Sequence, residues 1–357
     1  MPTVQLSQLK IGDKLIQDVQ TPLGGVLLQK GKIIMPREID ILQAFLIPTV
    51  AIAARSGIGH EQVETEATDE PVAEHTPTAS FQKEYDRLFA LIKNVFSQYN
   101  AALSIPILEI RKQLESLLNH INEYNVLKFS PQIYNNEDYM FHNSVLTALS
   151  SYQLAQWSGM PHKDWIPSAL AGLFHDIGNI KVDKTILNKP EALTSSEAEE
   201  MKKHTVHGYQ MLKPIPAINE GVKLTALQHH EKVDGSGYPL GLKGEKIHPY
   251  ARIVAVADIY HAMTLKRAYR MPASPYLVLE QLQQESFGQL DPVLVQLFIG
   301  KATQFHNGTV VRLSDNRIGE IVFSDRNHLT RPWVSIDGSI INLTIERHLH
   351  IREIITK

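Results

Sequence analysis

Cysteine is absent from all 357 residues. That absence excludes thiolate metal ligands, disulfides and cysteine nucleophiles, and it leaves imidazoles and carboxylates as the strong metal-binding side chains. No apolar run approaches the ~18 residues that a membrane-spanning helix needs. The first residues, Met1-Pro2-Thr3-Val4-Gln5-Leu6, lack the charged-then-apolar pattern of a secretory signal. A cytoplasmic protein without membrane insertion is therefore expected. Nor is there an excess of either charge, since the formal net charge is -3. Without a global basic field, a nucleic-acid polymer is not an expected partner, and any anionic ligand must be held by a local site.

What is present suits a soluble globular chain: 43% hydrophobic and 20% charged residues, with a length that suggests two or three domains. Residues 1–56 alternate short apolar runs with turn signals. Val26-Leu27-Leu28 and Ile33-Ile34-Met35 are arranged as two strands flanking a turn, residues 38–45 as a short helix and residues 49–53 as a closing strand. Residues 57–80 shift to Glu, Thr, Ala and Pro, the composition of a flexible acidic linker. From 81 to 128 apolar residues return at helical spacing (Tyr85, Leu88, Phe89 and Ile92, then Ile107, Ile110 and Leu114), with Pro106 separating two coupling helices. These either pack on the next domain or form a homodimer seam.

Residues 129–301 read as helical. One expected helix, from Ser195 to Leu212, opens with the capping box Thr194-Ser195-Ser196-Glu197. Beyond residue 301 short strands alternate with Asp315-Asn316, Asp325-Arg326-Asn327 and Asp337-Gly338 turns. The expected fold is multidomain and mainly α. A central all-α domain (129–301) is flanked by a small N-terminal α+β module (1–56) and a small β-rich, barrel-like C-terminal module (302–357).

The chemistry concentrates in the central domain. Nine of the 16 histidines lie between residues 131 and 270. His175-Asp176 ends an apolar helix and His204 follows a charged one. His229-His230 precedes a glycine-rich turn, Asp234-Gly235-Ser236-Gly237-Tyr238-Pro239, and Asp258 interrupts the apolar run Ile253-Val254-Ala255-Val256-Ala257. A buried, unpaired Asp is costly, and a metal ion supplies the missing positive charge. Six nitrogen and oxygen donors from four separated segments suit two metal ions, with one carboxylate able to bridge them.

His175-Asp176, His204, His229-His230, Gly237-Tyr238-Pro239 and Asp258, with Gly241 to Ile247 and Arg252 through Arg267-Ala268-Tyr269-Arg270, resemble the HD-GYP family. This is a branch of the HD metal-dependent phosphohydrolases, and the resemblance covers residues 130–300. It implies an all-α domain holding two or three divalent metal ions, of iron or manganese type, and hydrolysis of cyclic di-GMP to the linear dinucleotide or GMP. On that resemblance His175, Asp176, His204, His229, His230 and Asp258 are metal ligands, with Asp176 the bridge and a catalytic residue. Gly237, Tyr238 and Pro239 shape the substrate rim and contacts to signalling partners. Arg267 faces phosphate in binding and catalysis, where a guanidinium can make two hydrogen bonds.

Three positions depart from the pattern. Either His142 or Asn143 stands where the family's first metal-binding histidine is found. Aligning Tyr139-Met140-Phe141 selects Asn143, whereas the apolar spacing of Val145, Leu146 and Leu149 selects His142. Asn179 replaces a lysine after the His-Asp pair, with Lys181, Lys184 and Lys232 as candidate substitutes. His261 replaces an aspartate after the last ligand. These departures motivate two alternatives: a module that binds cyclic di-GMP or partner proteins without turnover, and a phosphohydrolase acting on another nucleotide.

Overall fold

A computed structural model describes residues 3–20, 26–45, 47–53, 79–98, 105–133, 135–266, 272–304 and 308–355. The expected 57–80 linker lies almost wholly outside the described residues. Two compact units emerge, one from both ends of the chain (up to residue 74 and from 305 to 355) and one from residues 75–304.

In the first unit β1 (Thr3–Gln5) is followed by β2 (Val19–Gln20), β3 (Val26–Leu28), α1 (Pro36–Ala44) and β4 (Thr49–Ala51). β1 pairs antiparallel with β4, and β3 pairs with β2. The expected pairing of Val26–Leu28 with the Ile33 segment is not formed; Ile33 instead bridges Lys14. The C-terminal part adds β5 (Val310–Leu313), β6 (Ile318–Phe323), β7 (Trp333–Ile336), β8 (Ser339–Asn342) and β9 (Ile351–Ile354). They form one antiparallel sheet in the order β8-β7-β6-β5-β9. No pairing joins its edge strands β8 and β9 among the described residues, so the expected barrel-like closure gives way to an open sheet.

Asp337 and Gly338, both at positive φ, turn β7 into β8, as the right-handed twist of a tight hairpin requires. β7 alternates half-buried and buried residues, the period of a sheet with one covered face. What covers the sheet comes from the other end of the chain. Leu15, Ile34, Leu42, Val50 and Ile52 share one apolar cluster with Val322, and the Phe45 ring stacks on Trp333 at 4.2 Å and 15°.

The second unit is helical. It contains α2 (Ala79–Gln98), α3 (Ile107–Leu118), α4 (Tyr139–Trp157), α5 (Trp165–Phe174), α6 (Lys184–Leu187) and α7 (Ser195–Lys202). It continues with α8 (His204–Leu212), α9 (Glu220–Gln228), α10 (Pro249–Thr264), α11 (Pro275–Glu285) and α12 (Pro292–Ala302). The last three each begin with proline, whose fixed φ and missing N–H suit a helix's first turn. Thr194 and Glu197 form the capping box expected at the start of α7. The single helix expected from Ser195 to Leu212 is instead two, divided at Lys203. The division puts His204 on the first turn of α8.

α4 and α10 are buried nearly all round, and they bury polar groups with them. Asn143, Ser144, Thr147, Ser150 and Ser151 on α4 are each at most 2% exposed. A polar stripe of this kind inside a core needs partners, and α10 supplies some of them.

Candidate metal centre

Helix ends aim the donors. His175 caps the C-terminus of α5, and Asp176 opens the short 3-10 turn Ile177–Lys181. His229 caps α9 and Asp258 lies within α10. A Cβ on Gly178 would collide with the His204 carbonyl and the Gly208 amide. Only glycine therefore lets the His175-Asp176 turn press against the start of α8.

Three imidazoles are oriented in the same way. Nδ1 of His175 bonds the Gly172 carbonyl at 2.7 Å, that of His204 the Met201 carbonyl at 2.7 Å, and that of His229 the Thr225 carbonyl at 3.1 Å. A carbonyl only accepts, so each Nδ1 carries a proton, which leaves Nε2 as the ring atom that can offer a lone pair to a cation. Those Nε2 atoms converge on carboxylates and on one another. His204 and His229 approach to 3.3 Å, and they lie 3.3 and 3.6 Å from Asp176 Oδ1. On the other side His175 Nε2 is 3.5 Å from Asp176 Oδ2 and 3.3 Å from Asp258 Oδ1. It is fully buried, and among the described residues these two carboxylates are the charged groups it faces.

Carboxylate oxygens and imidazole nitrogens gathered this closely need positive charge among them, supplied by a proton or a bound cation. The charges point the same way. Burial opposes a charged His175, yet Asp176 and Asp258 outweigh it and raise the imidazole to about 9. Asp176 is held well below the usual carboxylate range: burial works against this, and His175, His229 and His204 overcome it. Burial, reinforced by His229 and His204, pushes His230 far down, toward the neutral ligand form. Asp176, His204, His229 and His230 present ligand atoms all within 4.8 Å of one another. This donor set of imidazole and carboxylate fits a divalent transition metal.

All six sequence-selected donors are thus drawn to one place, and Asp176 divides its two oxygens between a His204/His229 side and a His175/Asp258 side. Asn143, not His142, faces them: its Nδ2 donates to Asp258 Oδ1 at 2.8 Å. His142 turns to α2, where it bonds the Tyr85 hydroxyl at 2.9 Å and stacks on Phe89 at 4.1 Å. Burial lowers its pKa to about 4. His261 joins a separate buried contact, bonding Ser150 Oγ at 2.8 Å, and burial lowers it to about 3. Asn179 is buried, and its Oδ1 has no hydrogen-bond partner among the described residues. Arg267 lies outside the described residues.

The Gly-Tyr-Pro turn closes over the donors. The Tyr238 ring stacks on His230 at 4.7 Å and 28°, and the Tyr238-Pro239 peptide is cis. A Cβ on Gly237 would strike the backbone of His230, Glu231 and Lys232, so the turn can fold back on the histidine doublet only with glycine there. Two residues of this region escape sequence reasoning. Glu231, 3% exposed, accepts the Leu240 and Leu242 amides at 2.7 and 2.8 Å and anchors the turn. Its signal is a carboxylate placed just ahead of a glycine-rich loop, whose amides need acceptors that no helix or sheet supplies. Lys202 holds its Nζ 5.6 Å from the centre of the Tyr238 ring. Its signal is a position two residues before His204.

A family model described as HD domain matches residues 106–294. The chain is 31% identical over 221 residues to a cyclic di-GMP phosphodiesterase of Pseudomonas aeruginosa, covering 62% of this chain and 52% of that protein. It is 28% identical over 208 residues to one from Borreliella burgdorferi, covering 57% and 55% respectively. Against a 3'3'-cGAMP-specific phosphodiesterase of Vibrio cholerae it is 33% identical over 159 residues, covering 44% and 30%. The chain spans about half the length of the first two relatives.

Proposed function

From the premise that this chain belongs to the HD domain family, in its HD-GYP branch, we propose that it is a metal-dependent phosphodiesterase that hydrolyses cyclic di-GMP to the linear dinucleotide or GMP. The observation that carries the reading is the division of Asp176, one oxygen toward His204 and His229 and the other toward His175. Two ions of iron or manganese type suit that division, with His230 and Asp258 completing their ligands. Bound there, such ions supply the Lewis acidity and charge neutralisation that cleavage of a phosphodiester needs.

The chain's own groups do the rest. The backbone-bonded imidazoles keep the donors in place before substrate arrives. Tyr238, stacked on His230, and its neighbours Gly237 and Pro239 form the rim against which the dinucleotide lies. Arg267 is assigned to the phosphate. Contacts with signalling proteins run through the same turn, where Leu240 is exposed.

We take residues 1–56 and 302–357, which form one compact unit and not the two separate modules expected, as a companion to the catalytic domain 129–301, with 81–128 as coupling helices, working in the cytoplasm. No described helix is long and apolar enough to cross a membrane. A homodimer is tested by size-exclusion chromatography with light scattering.

Iron- or manganese-loaded protein, kept reduced, is expected to convert cyclic di-GMP, and Asp176→Ala to abolish conversion. No product with either metal overturns the reading. A panel containing 3'3'-cGAMP separates cyclic di-GMP from other cyclic dinucleotides. One observation favours a second reading, binding without turnover: Asn143 brings an amide, not an imidazole, to Asp258. That reading expects stoichiometric binding and unaltered nucleotide.

A further inference from the structure

We propose that Lys202 is a phosphate-binding residue of this site, its ammonium held over the Tyr238 ring to receive a phosphate of the substrate; this rests on the phosphodiesterase reading above. The donor cluster is rich in acceptors and carries the carboxylates of Asp176 and Asp258, so an anionic diester needs positive charge at the rim as well as at the centre. Asn179, the buried side chain next to the His-Asp turn, offers none. Lys202 Nζ lies 5.6 Å from the centroid of Tyr238, and Tyr238 stacks on His230 at 4.7 Å. One aromatic step thus separates the ammonium from the metal-facing imidazoles.

The position is built. Lys202 is the last residue of α7, its carbonyl accepts from Thr205 Oγ1 at 2.9 Å, and only Lys203 separates it from His204. The backbone that carries the ammonium is therefore fixed relative to a donor. Its charge is also available for exchange. Lys202 pairs with Glu199 at 2.6 Å, one turn back, and the Glu199 side chain is 70% exposed. An exposed pair of this kind is worth roughly 0–1 kcal/mol. A substrate phosphate can displace it at little cost. By contrast, Lys189 is bound through both oxygens of Glu197, at 2.8 and 2.6 Å, where it secures the capping box at the other end of α7.

The wild-type 357-residue chain, Lys202→Met, Lys202→Arg and Glu199→Gln are compared in two ways. Equilibrium dialysis of metal-free protein gives Kd for cyclic di-GMP at low and high salt. Steady-state kinetics of metal-loaded protein gives KM and kcat for cyclic di-GMP and for the simple diester bis(4-nitrophenyl) phosphate. Lys202→Met is expected to raise Kd and KM about tenfold, the loss of one charge-assisted hydrogen bond, with kcat little changed. It also flattens the salt dependence. Lys202→Arg restores most of the loss, and Glu199→Gln lowers Kd by freeing the ammonium.

Unchanged Kd and salt dependence in Lys202→Met, or a fall in kcat alone, overturns the proposal. If wild type cleaves the simple diester but not cyclic di-GMP, the substrate reading falls, while KM for that diester still decides Lys202. If wild type cleaves neither and binds no nucleotide, both fall.

Discussion

Asn143 donates to Asp258 across the α4–α10 seam at 2.8 Å, while its neighbour His142, about a quarter-turn around the same helix, bonds Tyr85 on α2. Adjacent residues on one helix thus serve different partners: one holds a carboxylate of the donor cluster, the other grips α2. Removing Asn143 should loosen Asp258 without touching a donor. Asn143→Ala is expected to weaken metal binding on the order of 10- to 100-fold, the usual effect of losing a group that orients a ligand. His142→Leu should leave metal affinity unchanged and lower stability, because the buried Tyr85 hydroxyl loses its partner. Metal titration and urea unfolding of both variants check the pair. Equal metal loss in both would mean that His142 reaches the centre.

Glu231 should matter to the turn and not to the ions. Its carboxylate satisfies the amides of Leu240 and Leu242 from a buried position. Glu231→Ala is expected to cost about 1.5–3 kcal/mol, the range for hydrogen bonds to a charged group. Hydrogen exchange should show those two amides losing protection while metal content holds. Protection that survives would mean that the turn is held by its other contacts.

Gly178 sets how closely two donor-bearing elements approach. The methyl of Gly178→Ala would meet the His204 carbonyl and the Gly208 amide, both of them backbone. Because neither can move aside alone, α8 must shift. An overpacking cost of about 1–3 kcal/mol is expected, together with loss of metal binding, since Asp176 and His204 lie on the two sides of the collision. Denaturation midpoint and metal stoichiometry are the measurements, and a variant that keeps full stoichiometry would contradict this account.

The start of α7 should respond to acid. Hydrogen bonds from Lys189, and then from the Thr194 amide and hydroxyl, lower the Glu197 carboxyl from 4.5 to about 2. A depressed folded-state value gives stability that is full above the unfolded value and is lost as pH falls toward the folded one. The contribution should therefore fade between pH 4.5 and about 2. Glu197→Gln is expected to remove that part of the acid dependence. Urea midpoints followed across this window for both proteins give the test, and parallel curves would count against it.

What could be read from residues alone was whatever announces itself locally. The His175-Asp176 pair at the end of an apolar helix, the His229-His230 doublet before glycines, and Asp258 inside an apolar run each violate the composition of their surroundings. The structure brings all three together with His204. Side-chain direction on α4 was not legible, because periodicity identifies a buried face only when another face meets water. His142 and Asn143 are both buried, at 6% and 2% exposure, so the Val145-Leu146-Leu149 spacing could not tell them apart. The break at Lys203 has no proline or glycine to mark it. The stacking of Phe45 on Trp333 joins the two ends of the chain, a distance that no local pattern reports. Glu231 and Lys202 take their meaning from the folded turn beside them.

The imidazole orientations have a further consequence. The Nδ1 bonds of His175 and His229 run to carbonyls three or four residues earlier in their own helices, and that of His204 runs back across the break at Lys203 to Met201, near the end of α7. Ring direction is thus set by nearby backbone, within α5 and α9 and across the α7–α8 break, while the placement of these segments depends on tertiary packing. The centre has few independent coordinates: it is three stiff jaws, not a set of adjustable fingers. Such a grip cannot contract or widen around ions of different radius one ligand at a time. Choice among metals would have to be made by whole helices, and a substitution far from any donor, if it tilts one of them, would change which ion the protein keeps.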